Sequence, residues 1–170
     1  MLRVLCLALF MAPAFAEDIP NRLIDYPAFA NNVRQLAATR ESRRVTEAQF
    51  IRMAREPGTV VLDARSAEKF ALLHVDGAVN LSFPDITEQE LARVIPSKHT
   101  RILIYCNNNF LGEQRAFPSK LPATSLNVHT FNVLHAYGYT NVYELGPLID
   151  ARTAKLRFAG SDVGPARGLN

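Results

Sequence analysis

Cys106 is the residue whose type and position could do chemistry in this sequence. It ends the apolar stretch RILIYC (101–106) and is followed by three asparagines. The thiolate form of cysteine is a strong nucleophile, so a cysteine at a strand end suits covalent catalysis. Cysteine is also among the most buried residue types, and one at the end of an apolar strand often belongs to the core. The spacing alone leaves a reactive and a structural cysteine open.

The N-terminus (1–16) has the pattern of a signal peptide. A short basic start precedes the apolar run VLCLALFMAPAFA, and the small residues of AFA (14–16) fit the rule for cleavage. We therefore expect an exported protein, most simply in a bacterial periplasm, with no membrane insertion after cleavage; an uncleaved anchor is the alternative. Cleavage removes Cys6 and leaves Cys106 unpaired. An odd cysteine in an exported chain indicates a reactive thiol or an intermolecular bridge.

Composition limits the classes of function. Of the 170 residues, 48% are hydrophobic and 21% are charged, as is usual for a globular domain. The net charge is only +3 and the basic residues are scattered apart from TRESRR (39–44). We expect that cluster to be a solvated helix face, and we expect no nucleic-acid partner. His129 and His135 lack the spacing of metal ligands on a helix, so we expect no metal and no cofactor.

Periodicity and capping signals predict the elements that position Cys106. Helices are predicted with N-caps at Thr46, Ser66 and Thr87, and a last helix is predicted over 125–138. The helices alternate with four short apolar stretches that are typical of strands, TVVLD (59–63), AVNLS (78–82), RILIYC (101–106) and NVYEL (141–145). This alternation predicts an α/β fold with a mostly parallel central sheet flanked by helices.

Cys106 falls at the carboxyl end of its strand in this arrangement. Ligands of parallel sheets bind at that edge, where loops lead into helix N-termini. A helix start or a cup of backbone N–H groups there would favour the thiolate over the thiol. The position therefore suits a reactive cysteine, and the odd cysteine count favours the same interpretation.

Three stretches, in order along the chain, resemble the rhodanese family. VVLDARSAEKFALLHVDGAVNLSF (60–83) is similar to the first half of a rhodanese domain, with leucine at 73 where the family pattern has glycine. ILIYC (102–106) is similar to the strand that carries the catalytic cysteine of the family, and AYGYTNVYELG (136–146) is similar to its last strand. The residues that match the first motif are Asp63, Arg65, His74, Gly77, Ala78 and Asn80.

This resemblance implies a three-layer rhodanese-like fold and a sulfurtransferase mechanism. The Cys106 thiolate would take a sulfane sulfur from a small sulfur-containing anion, become a persulfide, and pass the sulfur to a thiol or another nucleophile. The chain would then consist of a signal peptide (1–16), an N-terminal helical extension (17–44), the rhodanese-like domain (45–150) and a flexible C-terminal tail (151–170).

The insertion NNNFLGEQRAFPSKLPAT (107–124) departs from the family pattern. It is much longer than the family loop, and Leu111 stands where the family commonly has an arginine. We expect Phe110 and Phe117 to pack this insertion against the domain. Asparagines are also typical of turns and loop cations are often solvated, so binding and structural interpretations both stay open. The candidate substrate-binding or anion-binding residues are Asn107, Asn108, Asn109, Phe110, Arg115 and Lys120.

Two other functions remain open. The missing arginine and the long insertion are also typical of a noncatalytic rhodanese-like module that binds a protein partner. A cysteine phosphatase would need an arginine after five intervening residues, and that position is Gly112. Asp63, Arg65 and His74 match the family motif, but we expect them to be structural, as a strand end, an ion pair and a hydrogen-bonded bridge.

Overall fold

The computed structural model describes residues 19–163, so the expected signal peptide lies outside the described residues. The helices in this range are α1 (Tyr26–Ser42), α2 (Glu47–Ala54), α3 (Ala67–Leu72), α4 (Glu88–Val94) and α5 (Leu126–Ala136). The strands are β1 (Arg44–Val45), β2 (Thr59–Asp63), β3 (His74–Val75), β4 (Val79–Asn80), β5 (Arg101–Tyr105), β6 (Phe110–Leu111), β7 (Val142–Leu145), β8 (Ile149–Asp150) and β9 (Phe158–Ala159). Short 3-10 helices occupy Phe83–Asp85, Asn107–Asn109 and Pro122–Thr124.

Local capping starts three of the helices. The Thr46 side chain accepts a hydrogen bond from the Gln49 amide, and the Gln49 side chain bonds back to the Thr46 amide, which completes a capping box for α2. Ser66 and Thr87 accept bonds from amides in the first turns of α3 and α4. Each cap satisfies an amide that has no partner within its helix, so these starts follow from local sequence alone.

The central sheet has five strands in the order β1-β7-β5-β2-β4, and every pair in it is parallel. Strand β5 lies in the middle, and its side chains alternate between the two faces. Ile102 and Ile104 contact one hydrophobic cluster, whereas Leu103 and Tyr105 contact the other. Helices cover both faces, so the expectation of a mostly parallel sheet flanked by helices is confirmed.

Two hydrophobic clusters make the layers of the fold. On one face, Phe50 of α2 packs with Leu103 and with side chains of the insertion and the C-terminal segment. On the other face, Leu91 of α4 and Phe131 of α5 pack with Ile102. The carboxyl edge of the sheet is thus held between two buried layers, which fixes the position of Cys106 directly after β5.

The N-terminal extension differs in part from its expected form. Helix α1 begins at Tyr26, after Asp25 accepts a bond from the Ala28 amide, and it packs against α5. Of its apolar residues, Leu36 packs against the core, whereas Phe29 and Val33 are 41% and 40% exposed. A loosely amphipathic helix therefore docks by its C-terminal half.

The C-terminal segment corrects the expectation of a flexible tail over residues 151–163. Strand β9 pairs antiparallel with β3, and β8 pairs parallel with β6 of the insertion. Phe158 is only 8% exposed and contacts the rings of Phe110 and Phe117. This aromatic packing makes the segment part of the core. Residues 164–170 of the expected tail lie outside the described residues.

Between residues 19 and 163, no helix has the length and apolar character needed to cross a membrane. Within the same range, no group of three or more His, Cys, Asp or Glu side chains is placed to hold a metal ion.

Candidate active site

Strand register brings Cys106 and a charged pair to one face of the sheet. Ile104 of β5 pairs with Glu144 of β7, and Glu144 pairs with Arg44 of β1. Register partners on neighbouring strands point to the same face, and side chains alternate along each strand. Cys106 is in extended conformation (φ −146°, ψ −179°) two residues after Ile104, so its side chain lies on that same face at the carboxyl edge.

The Cys106 thiol borders a cleft of about 480 Å³ and is itself 1% exposed. Its Sγ lies 3.4 Å from the Oγ of Ser125, the N-cap residue of α5. The Ser125 hydroxyl makes no capping bond to α5, and Asn127 and Val128 of the first helical turn also line the cleft. A helix N-terminus carries partial positive charge, and the start of α5 places that charge beside this sulfur.

Asn109 holds the backbone of Cys106. The Cys106 amide donates to Asn109 Oδ1 at 2.9 Å, and the Asn109 amide donates back to the Cys106 carbonyl at 3.1 Å. Asn109 Nδ2 donates to the Leu145 carbonyl at 2.8 Å, and Asn109 Oδ1 accepts a second bond from Asn127 Nδ2 at 3.1 Å. One buried amide therefore joins the ends of β5 and β7 to helix α5.

Asn107 and Asn108 anchor the insertion to the turn. Asn108 Nδ2 donates to the Lys120 carbonyl at 2.8 Å, and the Lys120 amide donates to Asn108 Oδ1 at 3.0 Å. Asn107 Nδ2 donates to the Pro118 carbonyl. Asn108 and Asn109 line the cleft, while Asn107 lines a second cavity. The three amides thus serve the path of the chain, and anion binding by them stays a prediction.

Two phenylalanines make the insertion part of the core. Phe110 and Phe117 are both 0% exposed, and their ring centroids are 4.6 Å apart. Phe110 packs edge-on against Phe158 at 5.3 Å, and Phe117 lies 4.3 Å from the guanidinium carbon of Arg65. The expected binding role of Phe110 does not hold, because a fully buried ring offers no surface to a substrate.

The structure does not bring the two cations of the insertion to Cys106. The Arg115 side chain is 74% exposed and pairs with Asp162 at 3.3 Å. Lys120 lines a second cavity, of about 420 Å³, together with Arg65 and Lys69. Neither residue lines the Cys106 cleft. The direct role expected for Arg115 and Lys120 as anion ligands beside the thiol is therefore not supported by their positions.

Asp63 and Arg65 form a buried ion pair. Arg65 Nε donates to Asp63 Oδ1 at 2.9 Å, Nη1 to the Ala116 carbonyl at 2.9 Å, and Nη2 to the Leu73 carbonyl at 2.8 Å. Tyr105 donates its hydroxyl to Asp63 Oδ2 at 2.6 Å. Burial, with the charge of Asp63 beside it, raises the pKa of Tyr105 well above its usual value, so the hydroxyl keeps its proton. The hydrogen bonds of this ion pair connect β2 with β5, with the end of α3 and with the insertion.

The remaining motif residues are also bonded internally. His74 Nδ1 lies 2.7 Å from the Phe70 carbonyl oxygen, and the two rings stack at 3.7 Å. Asn80 Nδ2 donates to the carbonyls of Asp63 and Arg65. None of these motif side chains lines the Cys106 cleft. Their contacts agree with structural roles.

Arg40, Arg44 and Glu144 are the charged residues that line the cleft within the described part of the chain. Arg40 Nη2 donates to both Glu144 carboxylate oxygens, at 2.8 and 2.9 Å, and Arg44 Nε lies 3.2 Å from Oε1. The Glu144 side chain is 2% exposed. Burial raises its pKa, and the two guanidiniums oppose that shift only in part.

Sequence reasoning missed four residues of the cleft. The cluster TRESRR (39–44) was interpreted as a solvated face, yet Arg40 and Arg44 lie at the cleft because β1 pairs with β7. That pairing joins positions about a hundred residues apart, and nothing local indicates it. Ser125 is the first residue of the last predicted helix, so its position is a local signal. Glu144 lies in the last predicted strand, and nothing local marks it as a residue of the cleft.

Comparisons with known proteins place these features in a family. A family model described as rhodanese-like domain matches residues 46–147, which is more than half of the chain. Thiosulfate sulfurtransferase PspE from Escherichia coli (strain K12) is 27% identical over 96 residues, covering 56% of this chain and 77% of PspE.

Two solved structures have a similar fold. The BH2092 protein from Bacillus halodurans gives a TM-score of 0.51 at 22% identity, covering 78% of this chain and 88% of that one. The rhodanese-like domain of the Alr3790 protein from Anabaena sp. gives a TM-score of 0.52 at 19% identity, covering 75% of this chain and 88% of that one. At these identities the likeness concerns the fold alone.

Proposed function

The chain belongs to the rhodanese-like domain family, and from this premise we propose that it is a sulfurtransferase that carries a sulfane sulfur as a persulfide on Cys106. The similarity to a thiosulfate sulfurtransferase supports this reaction class. The observation that carries the proposal is the position of the thiol, which borders a cleft at the N-terminus of α5 with Ser125 Oγ 3.4 Å from Sγ.

The first half-reaction loads the cysteine. The Cys106 thiolate attacks the outer sulfur of an anionic donor such as thiosulfate, and a Cys–S bond to that sulfur forms as the donor S–S bond breaks. The leaving group, sulfite in this case, takes the electron pair of the broken bond. The Ser125 hydroxyl donates toward the cysteine sulfur, and the N-terminus of α5 stabilises its negative charge before attack.

The second half-reaction unloads it. A thiolate or another nucleophile attacks the outer persulfide sulfur, forms a bond to it, and returns the electron pair to Cys106 as the thiolate. Splitting the transfer into two displacements lets donor and acceptor use the same cleft in turn. Burial of the sulfur, at 1% exposure, supports the proposal further because a persulfide in an oxidising space needs shielding.

Intact-mass spectrometry tests this function. The mature protein is exposed to thiosulfate, and separately to a polysulfide, with Cys106→Ser as the matched control. In the parent we expect a mass gain of one sulfur that cyanide removes. In Cys106→Ser we expect sulfur loading to fall by at least a thousandfold, because the nucleophile itself is absent. An unchanged mass in the parent, with a thiol that still alkylates, would refute sulfur transfer and favour a noncatalytic module that binds a protein partner.

We also propose that the protein works in the bacterial periplasm after cleavage of residues 1–16. The apolar run and the small residues at 14–16 support this location. N-terminal sequencing of protein from a periplasmic fraction tests the proposal. A mature N-terminus at Glu17 is expected, and a chain that retains Met1 in the membrane fraction would contradict it.

A further inference from the structure

The stretch that follows Cys106 brings no positive charge to the thiol. The first five residues after it are NNNFL, and the two cations of the insertion lie elsewhere, Arg115 against Asp162 and Lys120 in the second cavity. An anionic donor that approaches a thiolate meets like-charge repulsion, which a nearby cation offsets. The cleft therefore needs another source of positive charge.

The N-terminal extension supplies that charge. Arg40 lies in the last turn of α1 and Arg44 begins β1, so both precede the family match at residues 46–147, yet both side chains line the Cys106 cleft. Their side chains are 30% and 41% exposed, so they are held by the fold and still face solvent. The strand register places Arg44 and Cys106 on the same face of the sheet, so both side chains reach the same cleft.

The cluster carries an excess of positive charge. Arg40 and Arg44 both pair with the single buried carboxylate of Glu144, which leaves one net positive charge in the cleft lining. Glu41, the second partner of Arg44, is 71% exposed and lies outside the cleft lining, so solvent screens it. Glu144 thus orders the two guanidiniums without neutralising both.

Arg40 also has hydrogen-bonding capacity to spare. Its two bonds to Glu144 both come from Nη2, and its Nε is buried without a partner. A guanidinium has five N–H donors in a planar fork that suits oxyanions. Arg40 therefore keeps donors that its ion pair does not use.

We propose that Arg40 and Arg44 form the subsite that binds the oxyanionic end of the sulfur donor in the Cys106 cleft. The inference rests on the proposed function and assigns its substrate class, a dianionic or monoanionic oxyanion with a transferable outer sulfur. It also makes α1 and β1 part of the active site, so the family-matched segment alone has an incomplete binding site.

The test measures thiosulfate binding by isothermal titration calorimetry in a Cys106→Ser background, where no sulfur can be transferred. Within that background Glu144→Gln removes the buried carboxylate, so either arginine can then be replaced without leaving an unpaired buried charge. We expect E144Q to tighten binding, and we expect R40Q/E144Q and R44Q/E144Q each to bind roughly threefold to tenfold more weakly than E144Q. At about 1 M salt these differences should shrink.

Matched controls come from arginines outside the cleft. Arg43 lies in the same segment with its guanidinium carbon 4.5 Å from the Tyr143 ring centroid, and Arg115 pairs with Asp162. R43Q and R115Q should leave the dissociation constant unchanged. Equal weakening in the controls, equal binding in all variants, or no binding in the parent would overturn the subsite. The result is independent of whether wild-type Cys106 gains sulfur, so the subsite and the sulfurtransferase function can fail separately.

Discussion

Arginines form ion pairs with a buried carboxylate in two regions of this protein: Arg65 pairs with Asp63, and Arg40 and Arg44 pair with Glu144. The two regions differ in where the arginine side chains lie. Arg65 is 4% exposed and uses its donors on Asp63 and on two backbone carbonyls. The Arg40 side chain is 30% exposed and lines the cleft, and it bonds Glu144 through one nitrogen, Nη2. The donors of Arg65 are thus used within the protein, whereas Arg40 and Arg44 line the cleft that holds the Cys106 thiol.

This contrast separates an ion pair that holds the fold together from one that we propose for ligand binding. The Asp63–Arg65 ion pair belongs to a stretch that resembles the family, and its bonds reach the insertion through the Ala116 carbonyl. It therefore braces the loop after Cys106 without touching the cleft. Arg40 comes from outside the matched segment, and it lines the cleft together with Glu144, which lies inside that segment. Resemblance to a motif and proximity to the chemistry are separate properties here.

Breaking the Asp63–Arg65 ion pair should have the largest effect on the free energy of unfolding. Arg65→Met leaves Asp63 buried without its charge partner, so the free energy of unfolding should fall by about 3–5 kcal/mol. Urea denaturation measures this loss. Arg115→Met, at a 74% exposed side chain, should change stability by less than about 1 kcal/mol. Similar small losses of unfolding free energy in both variants would mean that the Asp63–Arg65 ion pair does not stabilise the fold.

Removing the Ser125 hydroxyl should affect the cleft and spare the fold. Ser125→Ala loses the donor beside Cys106 Sγ but no capping bond, so sulfur loading should slow roughly tenfold while stability changes by less than about 1 kcal/mol. Single-turnover loading from thiosulfate and urea denaturation give the two readouts. Thr124→Ala is the matched control, because that hydroxyl bonds to the Leu121 carbonyl and should leave the loading rate unchanged. An unaltered rate in both variants would remove Ser125 from the mechanism.

The buried carboxylate of Glu144 should make the stability of the folded protein depend on pH. Burial raises its pKa in the folded state, so the folded protein holds this proton more tightly than the unfolded chain does. Glu144 therefore favours folding most below its unfolded pKa, and this contribution falls as pH rises toward the raised folded value, by about 1.4 kcal/mol for each pKa unit between the two states.

Glu144→Gln should lack this pH dependence. Denaturation across mildly acidic pH compares it with the parent and with Glu88→Gln, whose side chain is 76% exposed. The parent and E88Q should lose stability together as pH rises through the window, relative to E144Q. Parallel profiles for all three proteins would show that the carboxylate of Glu144 does not titrate differently on folding.

Much of the fold could be predicted because its signals are local. The starts of α2, α3 and α4 depend on the side chains of Thr46, Ser66 and Thr87 bonding to amides three residues away. The four strands of the expected sheet were short apolar runs, and the structure places β2, β4, β5 and β7 within them. The carboxyl-edge position of Cys106 followed from these elements.

The insertion and the C-terminal segment could not be predicted in the same way. Phe110, Phe117 and Phe158 pack together from positions up to 48 residues apart, and β6 and β9 are only two residues long. Such short strands carry no periodicity, and an aromatic residue in a loop has no local sign of its partner. The expected flexible tail over 151–163 failed for this reason.

Local sequence is enough to predict the alternation of helices and strands, the family motif and the position of Cys106 at the end of β5, because each depends on residues that are close along the chain. The surroundings of Cys106 depend on tertiary contacts instead. The pairing of β1 with β7 carries Arg44 to Glu144, α1 docks on α5 and carries Arg40 to the same carboxylate, and the insertion turns Arg115 away. Charge in this cleft is set by long-range register and packing, which a linear pattern does not encode.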